Sequence, residues 1–114
     1  MTYEELVENV RQATKRMIAS KTIGHVAFQF NVEGEAEGAF YLEIAGGKIN
    51  VEPYEYYDRD LIIVTSADVI MQMVEGKLQP MVAYSNGQLR VYGDERQLEF
   101  LPFGCCKKEN VKAK

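Results

Sequence analysis

The sequence predicts an α+β fold in which a five-stranded, mainly antiparallel sheet carries its helices on one face. First, residues 24–32, 38–44 and 48–52 alternate between apolar and polar side chains and are joined by glycine-containing turns, which predicts three antiparallel strands. Second, residues 60–94 have the pattern of a buried strand, two short helices and a last strand. Third, apolar residues within 2–20 recur at helical spacing and predict an amphipathic helix. The order of the strands in the sheet does not follow from these patterns.

Composition is typical of a single soluble domain, since 46% of the 114 residues are hydrophobic and 26% are charged. A formal net charge of −4 disfavours a nucleic-acid partner, because phosphate binding relies on clustered lysine and arginine. No apolar run approaches the roughly 20 residues of a membrane span, so we expect no stable membrane insertion. The acidic N-terminus is unlike a signal peptide and the last residues are not a peroxisomal address, which favours the cytoplasm of a prokaryote.

The predicted N-terminal helix, 2–20, begins at a capping box. Thr2 can cap the first turn, and Glu5, three residues later, can bond back to the cap residue. The apolar face then carries Leu6, Val10, Ala13, Met17 and Ile18. So thin a stripe predicts a helix that lies across a sheet.

In the three predicted strands, alternation assigns each side chain to one of two faces. The face that we expect to be buried carries Val26, Phe28, Phe30, Val32, Phe40, Leu42, Ile44, Ile49 and Val51. The opposite face carries His25, Ala27, Gln29, Asn31, Tyr41 and Glu43. The chain therefore offers a phenylalanine-rich sheet face on which helices can pack.

The stretch 60–94 supplies the helices for that face. Its apolar run, 61–64, predicts a strand buried on both faces. Ser66 has the hydroxyl of a helix N-cap, with Asp68 in the first turn, and Gly76 can end this helix in a left-handed conformation. We expect the buried face of this helix to carry Val69, Ile70, Met73 and Val74.

A second short helix is predicted from Pro80, because the first helical turn tolerates a missing N–H. We expect its inward side chains to be Met81, Val82 and Tyr84, together with Leu78 before it. The dipeptide Asn86-Gly87 predicts a turn, and 88–93 alternates like a half-buried strand.

The C-terminal part is predicted to be one inward-facing segment followed by a tail. Residues 95–101 predict a short helix or irregular segment with Leu98 and Leu101 inward, ended by Pro102. We predict that the domain spans 1–103 and that 104–114 form a charged, disordered tail.

Between the meander and the helical unit, Tyr54, Tyr56 and Tyr57 alternate with acidic residues. Two interpretations stay open at this point. The rings could form an aromatic rim at a pocket mouth, or they could cover the sheet edge with their hydroxyls in water.

The order of these pieces resembles the sterol carrier protein-2 family. That family has an apolar strand leading into an SAD-type cap, a short helix ending in EGKL or TGKL, a proline, an aromatic, a turn glycine and a KLKVxGD-like strand. The corresponding pieces here are Ile62 to Asp68, Glu75-Gly76-Lys77-Leu78, Pro80, Tyr84, Gly87 and Leu89 to Asp94. Segments 38–44 and 46–49 are similar to the family's second and third strands, so the likeness covers about residues 3–101 and suggests a small, freestanding prokaryotic member.

The resemblance implies a sterol carrier architecture with an apolar cavity between sheet and helices. It implies lipid-binding roles for Phe28, Phe30, Phe40, Leu42, Ile70, Met73, Val74, Met81, Val82, Tyr84, Leu98 and Leu101. Methionine suits a variable apolar ligand because its thioether is flexible, although residue types alone favour methionine as ordinary core filling. Family members often have a longer apolar C-terminal helix over the lipid tunnel, whereas this sequence becomes charged after Phe103.

No sequence motif indicates catalysis or a cofactor. The chain has no Ser-His-Asp order and no nucleophile-elbow, zinc-protease, P-loop or dinucleotide motif, so we predict no enzyme. His25 has the pattern of an exposed structural residue, and the adjacent Cys105-Cys106 cannot complete a metal site by themselves. Asp58, Asp60 and Glu55 could pair as acid and base, but a charged loop between strands is the simpler interpretation.

The sequence and the resemblance together predict a non-catalytic carrier of an apolar lipid in an internal cavity. The candidate ligands are a fatty acid, a fatty acyl-CoA and a sterol-like or isoprenoid molecule. The alternative is an accessory subunit that pairs with a second copy or with a lipid-handling enzyme. An enzyme acting through the cysteines or His25 is the least favoured hypothesis.

Overall fold

The computed structural model describes residues 1–19, 24–55 and 57–103, and five strands in this part of the chain form one sheet. The strands are β1 (His25–Glu33), β2 (Gly38–Ala45), β3 (Lys48–Glu52), β4 (Leu61–Ser66) and β5 (Arg90–Gly93). They lie in the order β3-β2-β1-β4-β5. β1 and β4 pair in parallel, whereas the other neighbouring pairs are antiparallel. The predicted mainly antiparallel sheet is confirmed, with β1 at its centre.

The helical segments are α1 (Tyr3–Thr14), α2 (Ala67–Val74), α3 (Pro80–Ser85) and a C-terminal 3-10 helix (Glu95–Phe100). α1 packs against β3 and α2, and α3 contacts the 3-10 helix. Their buried side chains join the inner sheet face in one core, which includes Leu6, Val10, Phe28, Phe30, Phe40, Ile70, Met73 and Leu98. The α+β class is thus confirmed. None of the helices in the described part of the chain has the length and apolar character needed to cross a bilayer.

The predicted helix ends follow local hydrogen-bonding rules. Thr2 Oγ1 accepts from Glu5 N–H at 3.1 Å, and Glu5 Oε1 accepts from Thr2 N–H at 2.8 Å, so the capping box is present. Ser66 Oγ caps α2 by accepting from Val69 N–H at 3.3 Å. Gly76 ends that helix with a φ of 79°.

The first helix ends at Thr14, so the predicted extent of 2–20 is wrong at its C-terminal end. The Thr14 hydroxyl donates a hydrogen bond of 2.8 Å to Arg11 O, the carbonyl that Lys15 N–H would reach in a continued helix. The following amides bond three residues back instead, as Met17 N–H does to Thr14 O at 3.1 Å. This turn buries Met17 but leaves Ile18 54% exposed, so Ile18 does not point inward as predicted.

The inward orientation predicted for Met81, Val82 and Tyr84 is also wrong. Their exposed fractions are 43%, 44% and 36%, whereas Ala83 is fully buried. α3 has only six residues and buries only Ala83. A helix of fewer than two turns directs one narrow face to the core, and the flanking side chains project into solvent.

The outer face of the sheet is more buried than strand alternation predicts. Ala27 and Gln29 lie on this face, yet only 0% and 4% of their surfaces are exposed. Gln29 stands in one row between Tyr41 of β2 and Ile62 of β4. Because β1 is the central strand, longer side chains from both neighbours shield it.

Candidate functional site

Most side chains predicted to contact lipid are buried in the hydrophobic core. Those with at most a few per cent of their surface exposed are Phe28, Phe30, Phe40, Leu42, Ile70, Met73, Val74, Leu98 and Leu101. Met81, Val82 and Tyr84 lie instead on the exposed side of α3. In the described part of the chain, nine of the twelve predicted residues thus belong to the core between the sheet and the helices.

Three phenylalanines form a continuous stack that begins on the sheet. Phe30 stacks on Phe40, with ring centroids 5.0 Å apart and ring planes at 10°. Phe103 lies against Phe30 at a centroid distance of 5.9 Å and a tilt of 34°, and it is only 6% exposed. Phe103 is absent from the predicted site residues. The signal that could have found it is the apolar series Leu98, Leu101 and Phe103, which continues past the proline.

A pocket of about 320 Å³ opens beside this stack, between α3 and residues 95–103. Its walls are Gly76, Leu78, Gln79, Pro80, Met81, Leu98, Glu99, Leu101 and Phe103. The buried walls are apolar and come from Leu98, Leu101 and Phe103, whereas Gln79 and Glu99 are exposed. The pocket thus combines an apolar interior with a polar rim, and it brings together three of the predicted lipid-binding residues (Met81, Leu98 and Leu101).

Local structure positions these walls. At the end of α2, Gly76 N–H donates to Met73 O at 3.1 Å and Lys77 N–H donates to Gln72 O at 2.9 Å, which turns the chain towards Leu78. On the other side of the pocket, the 3-10 helix buries Leu98. The residues after it bury Leu101 and Phe103. Lys77, between two wall residues, pairs with Glu75 at 3.3 Å on the surface.

A second groove, of about 480 Å³, lies on the outer face of the sheet. Its walls include Glu33, Glu37, Glu55 and Arg90. Arg90 Nη2 donates to Glu33 Oε2 at 2.7 Å. Hydrocarbon placed here would remove charged groups from water without replacing their hydration, which is unfavourable. Of these two sites, the pocket beside α3 is therefore the better candidate for an apolar ligand.

The described tyrosines between β3 and β4 lie away from that pocket. Tyr54 and Tyr57 are 63% and 93% exposed, and neighbouring Glu55 lines the outer groove. Burial raises the pKa of Tyr41 on the outer face, and nearby acidic groups and Tyr54 add to the effect. Within the described residues, none of this loop lines the pocket beside α3, so an aromatic rim there gains no support. Tyr56 lies outside the described residues.

The residues considered as catalytic or metal-binding from the sequence include His25, Asp60 and the two cysteines. In the described part of the chain, His25 and Asp60 contact other parts of the sheet. His25 Nε2 is 2.7 Å from Glu43 Oε2 on the outer face of the sheet. The Asp60 carboxylate accepts a backbone hydrogen bond from β1. Cys105 and Cys106, with the rest of the predicted tail, lie outside the described residues. Among the residues that the structure describes, no three His, Cys, Asp or Glu side chains are grouped to hold a metal ion.

Comparison with known proteins identifies the family. The model of the SCP-2 sterol transfer family matches residues 4–98. The chain belongs to this family. A relative, hydroxysteroid dehydrogenase-like protein 2 of Bos taurus, is 28% identical over 92 residues. The match covers 80% of this chain and 22% of the bovine protein, so the chain spans about a fifth of that relative's length.

Solved structures show the SCP-2 fold in two settings. A double mutant of the sec-alkyl sulfatase PisA1 of Pseudomonas sp. matches with a TM-score of 0.66 and 18% identity, over 82% of this chain and 15% of that one. The solution structure of palmitated SCP2L2 of Aedes aegypti matches with a TM-score of 0.54 and 13% identity, over 87% and 88% of the two chains. At these identities the matches show a shared fold alone. That fold occurs both as a small part of a larger enzyme chain and as most of a short chain.

Proposed function

We propose that this chain is a non-catalytic carrier that binds the hydrocarbon part of a lipid in the pocket between α3 and residues 95–103. The observation that carries the proposal is the continuity of the buried pocket walls, Leu98, Leu101 and Phe103, with the phenylalanine core. Membership of the SCP-2 sterol transfer family supports a lipid ligand. A fatty acid, a fatty acyl-CoA and a sterol-like or isoprenoid lipid are the candidate ligands, and the palmitated Aedes aegypti protein supports the fatty-acyl classes.

Burial of hydrocarbon supplies the binding free energy. Each buried methylene contributes about 0.8 kcal/mol, which is about fourfold in affinity. The pocket volume of about 320 Å³ lies at the lower end of the roughly 300–1,000 Å³ typical of ligand sites. A single flexible chain therefore suits this pocket better than a rigid sterol ring system.

The polar end of the ligand would lie at the exposed rim. The Gln79 side-chain amide can donate a hydrogen bond to a carboxylate or ester oxygen, and Glu99 can accept one from a hydroxyl. Both side chains reach solvent, so the head group keeps most of its hydration. This arrangement would orient the ligand with its hydrocarbon end inward.

Binding fits the pocket better than catalysis. Glu99 is the one titratable side chain among the wall residues, and these walls offer no serine, cysteine, histidine or lysine. Covalent or acid–base catalysis needs a nucleophile or second titratable group within hydrogen-bond reach. A carrier needs only the apolar walls and the polar rim that are present.

The first test is native mass spectrometry of the gently purified protein, followed by organic extraction of whatever co-purifies. We expect one lipid per chain, carrying an unbranched hydrocarbon chain. Protein that carries no lipid and also fails to bind octanoate or palmitate in a calorimetric titration would contradict the carrier function.

A matched pair of variants on α3 locates the site. Met81 and Val82 are adjacent and equally exposed, at 43% and 44%, but only Met81 lines the pocket. We expect Met81→Gln to weaken fatty-acid binding several-fold and Val82→Gln to leave it unchanged. Equal effects of the two substitutions would place the ligand elsewhere.

A second candidate function, that of an accessory or dimerising subunit, is supported by the surface of α3. Met81, Val82 and Tyr84 project together into solvent from this one short helix. In PisA1 and in the bovine relative, the matching region is a small part of a longer chain. An exposed apolar helix face next to the pocket could therefore contact an enzyme or a second copy of the chain.

Sedimentation equilibrium distinguishes the two functions. An accessory role by self-association predicts a dimer that Val82→Gln weakens, because the substitution makes the exposed face polar while leaving the pocket walls intact. A monomer at all concentrations, with lipid bound, would favour the carrier alone.

A further inference from the structure

Phe103 is one of the buried walls of the pocket. Its ring is a pocket wall on one side and contacts Phe30 on the other, at a centroid distance of 5.9 Å. Phe30 in turn is fully buried against Phe40. A hydrocarbon chain in the pocket that extends towards Phe30 therefore meets the Phe103 ring.

Side-chain packing, rather than secondary structure, holds this ring in place. After the 3-10 helix, Leu101 has extended backbone dihedrals of −65° and 127°. Its N–H donates to Leu98 O at 3.1 Å. Pro102 has no N–H to donate. Among the described residues of this segment, Phe103 lies outside any strand or helix, so rotation about a few bonds of residues 101–103 can withdraw its ring.

We propose that Phe103 is a built-in plug: its ring occupies the space between the pocket and Phe30, and a long hydrocarbon chain displaces it. The proposal rests on the carrier function proposed above. The ligand would replace one apolar group by another, so Phe30 and Leu101 would keep apolar neighbours. The space next to Phe30 would thus stay dry with the ring in place and with the ligand in its place.

The plug makes affinity depend on ligand length. A short chain fits in the existing pocket and leaves Phe103 in place. A long chain must displace the ring, and the lost burial of one phenylalanine lowers affinity by roughly tenfold to a hundredfold. Long chains therefore bind more weakly than their number of methylenes predicts. Phe103 is in this sense a specificity-determining residue.

Calorimetric titration of the full chain with octanoate and with palmitate tests the proposal. We expect Phe103→Ala to bind palmitate at least tenfold more tightly than the unsubstituted protein and to bind octanoate with little change. The matched control is Phe100→Ala, because Phe100 is half-buried on the same segment but does not line the pocket. Its length profile should stay that of the unsubstituted protein.

An unchanged length profile in a folded Phe103→Ala protein would overturn the plug. Absence of binding by every protein at both lengths would overturn the carrier function and the plug with it. If Phe103→Ala does not fold, the Phe103→Trp variant tests the plug by fluorescence. The chain contains no tryptophan of its own, so all tryptophan emission would come from position 103. Palmitate should shift the emission of this single tryptophan to longer wavelength, whereas an unshifted emission at saturation would overturn the plug.

Discussion

Asp60 forms two hydrogen bonds with Ala27, one through its backbone and one through its side chain. Its N–H donates to Ala27 O, and its Oδ2 accepts from Ala27 N–H, both at 2.8 Å. Ala27 is fully buried at the centre of the sheet. A carboxylate on the loop before β4 thus extends the parallel pairing of β1 and β4 by one residue.

Asp60→Ala should destabilise the protein by about 1–3 kcal/mol, because it leaves the buried Ala27 N–H without its acceptor. Asp60→Asn keeps an acceptor oxygen and should lose less. Urea denaturation followed by circular dichroism measures both. Asp58→Ala is the control, since this exposed aspartate lies on the same loop. A loss for Asp58→Ala as large as that for Asp60→Ala would show that the loop's charge matters more than the hydrogen bond.

Sequence patterns correctly predicted the features that depend on residues close together in the chain. Thr2, Ser66, Gly76 and Pro80 stand where predicted because helix capping involves residues at most a few positions apart. Strand alternation likewise placed the phenylalanines on the buried face. The strand order could not be predicted, because the side of β1 on which β4 pairs is decided by packing of the whole chain.

The pocket could be predicted only in part, because its walls depend on contacts between distant segments. Leu98 and Leu101 have the spacing of an inward face, and both are buried. α3 has fewer than two turns, so its sequence shows too little periodicity to predict which face is buried. In the structure its buried residue is Ala83. Nothing local connects Phe103 with Phe30, so their contact appears only in the folded chain.

The glycine that ends the strand motif, Gly93, has a steric role. It has a φ of 128°, and an added Cβ would lie 2.8 Å from Asp60 O and 2.9 Å from a methyl group of Leu61. Gly93→Ala should therefore destabilise the protein by about 1–3 kcal/mol. Gly24→Ala is the control, because nothing lies within 4 Å of its added Cβ. Thermal unfolding compares the two, and equal melting temperatures would contradict the steric role.

Ionised Glu8 should contribute to the free energy of unfolding, and this contribution should be lost at acid pH. The hydrogen bond from Gln12 Nε2, at 2.6 Å, and the interaction with Arg11 hold the pKa of the Glu8 carboxyl below its ordinary value. A lowered folded-state pKa stabilises the protein above the ordinary glutamate pKa, and this stabilisation is lost as pH falls through the folded value. We expect Gln12→Ala to raise the pKa of Glu8 in a carboxyl-carbon NMR titration. An unchanged titration would show that Gln12 has no effect on this carboxyl.

Met73 and Met81 were both predicted to bind lipid, but substitution of each should affect a different property: stability for Met73 and ligand binding for Met81. Met73 is fully buried in the core, whereas Met81 is 43% exposed on the pocket wall. Met73→Gln buries an amide among apolar side chains and should cost about 1–3 kcal/mol of unfolding free energy. Met81→Gln can hydrate its amide, so it should change stability by less than about 0.5 kcal/mol while weakening palmitate binding. Urea denaturation and calorimetric titration of both variants measure the two quantities. If Met81→Gln lost as much stability as Met73→Gln, Met81 would be a core residue and the pocket would need a different wall.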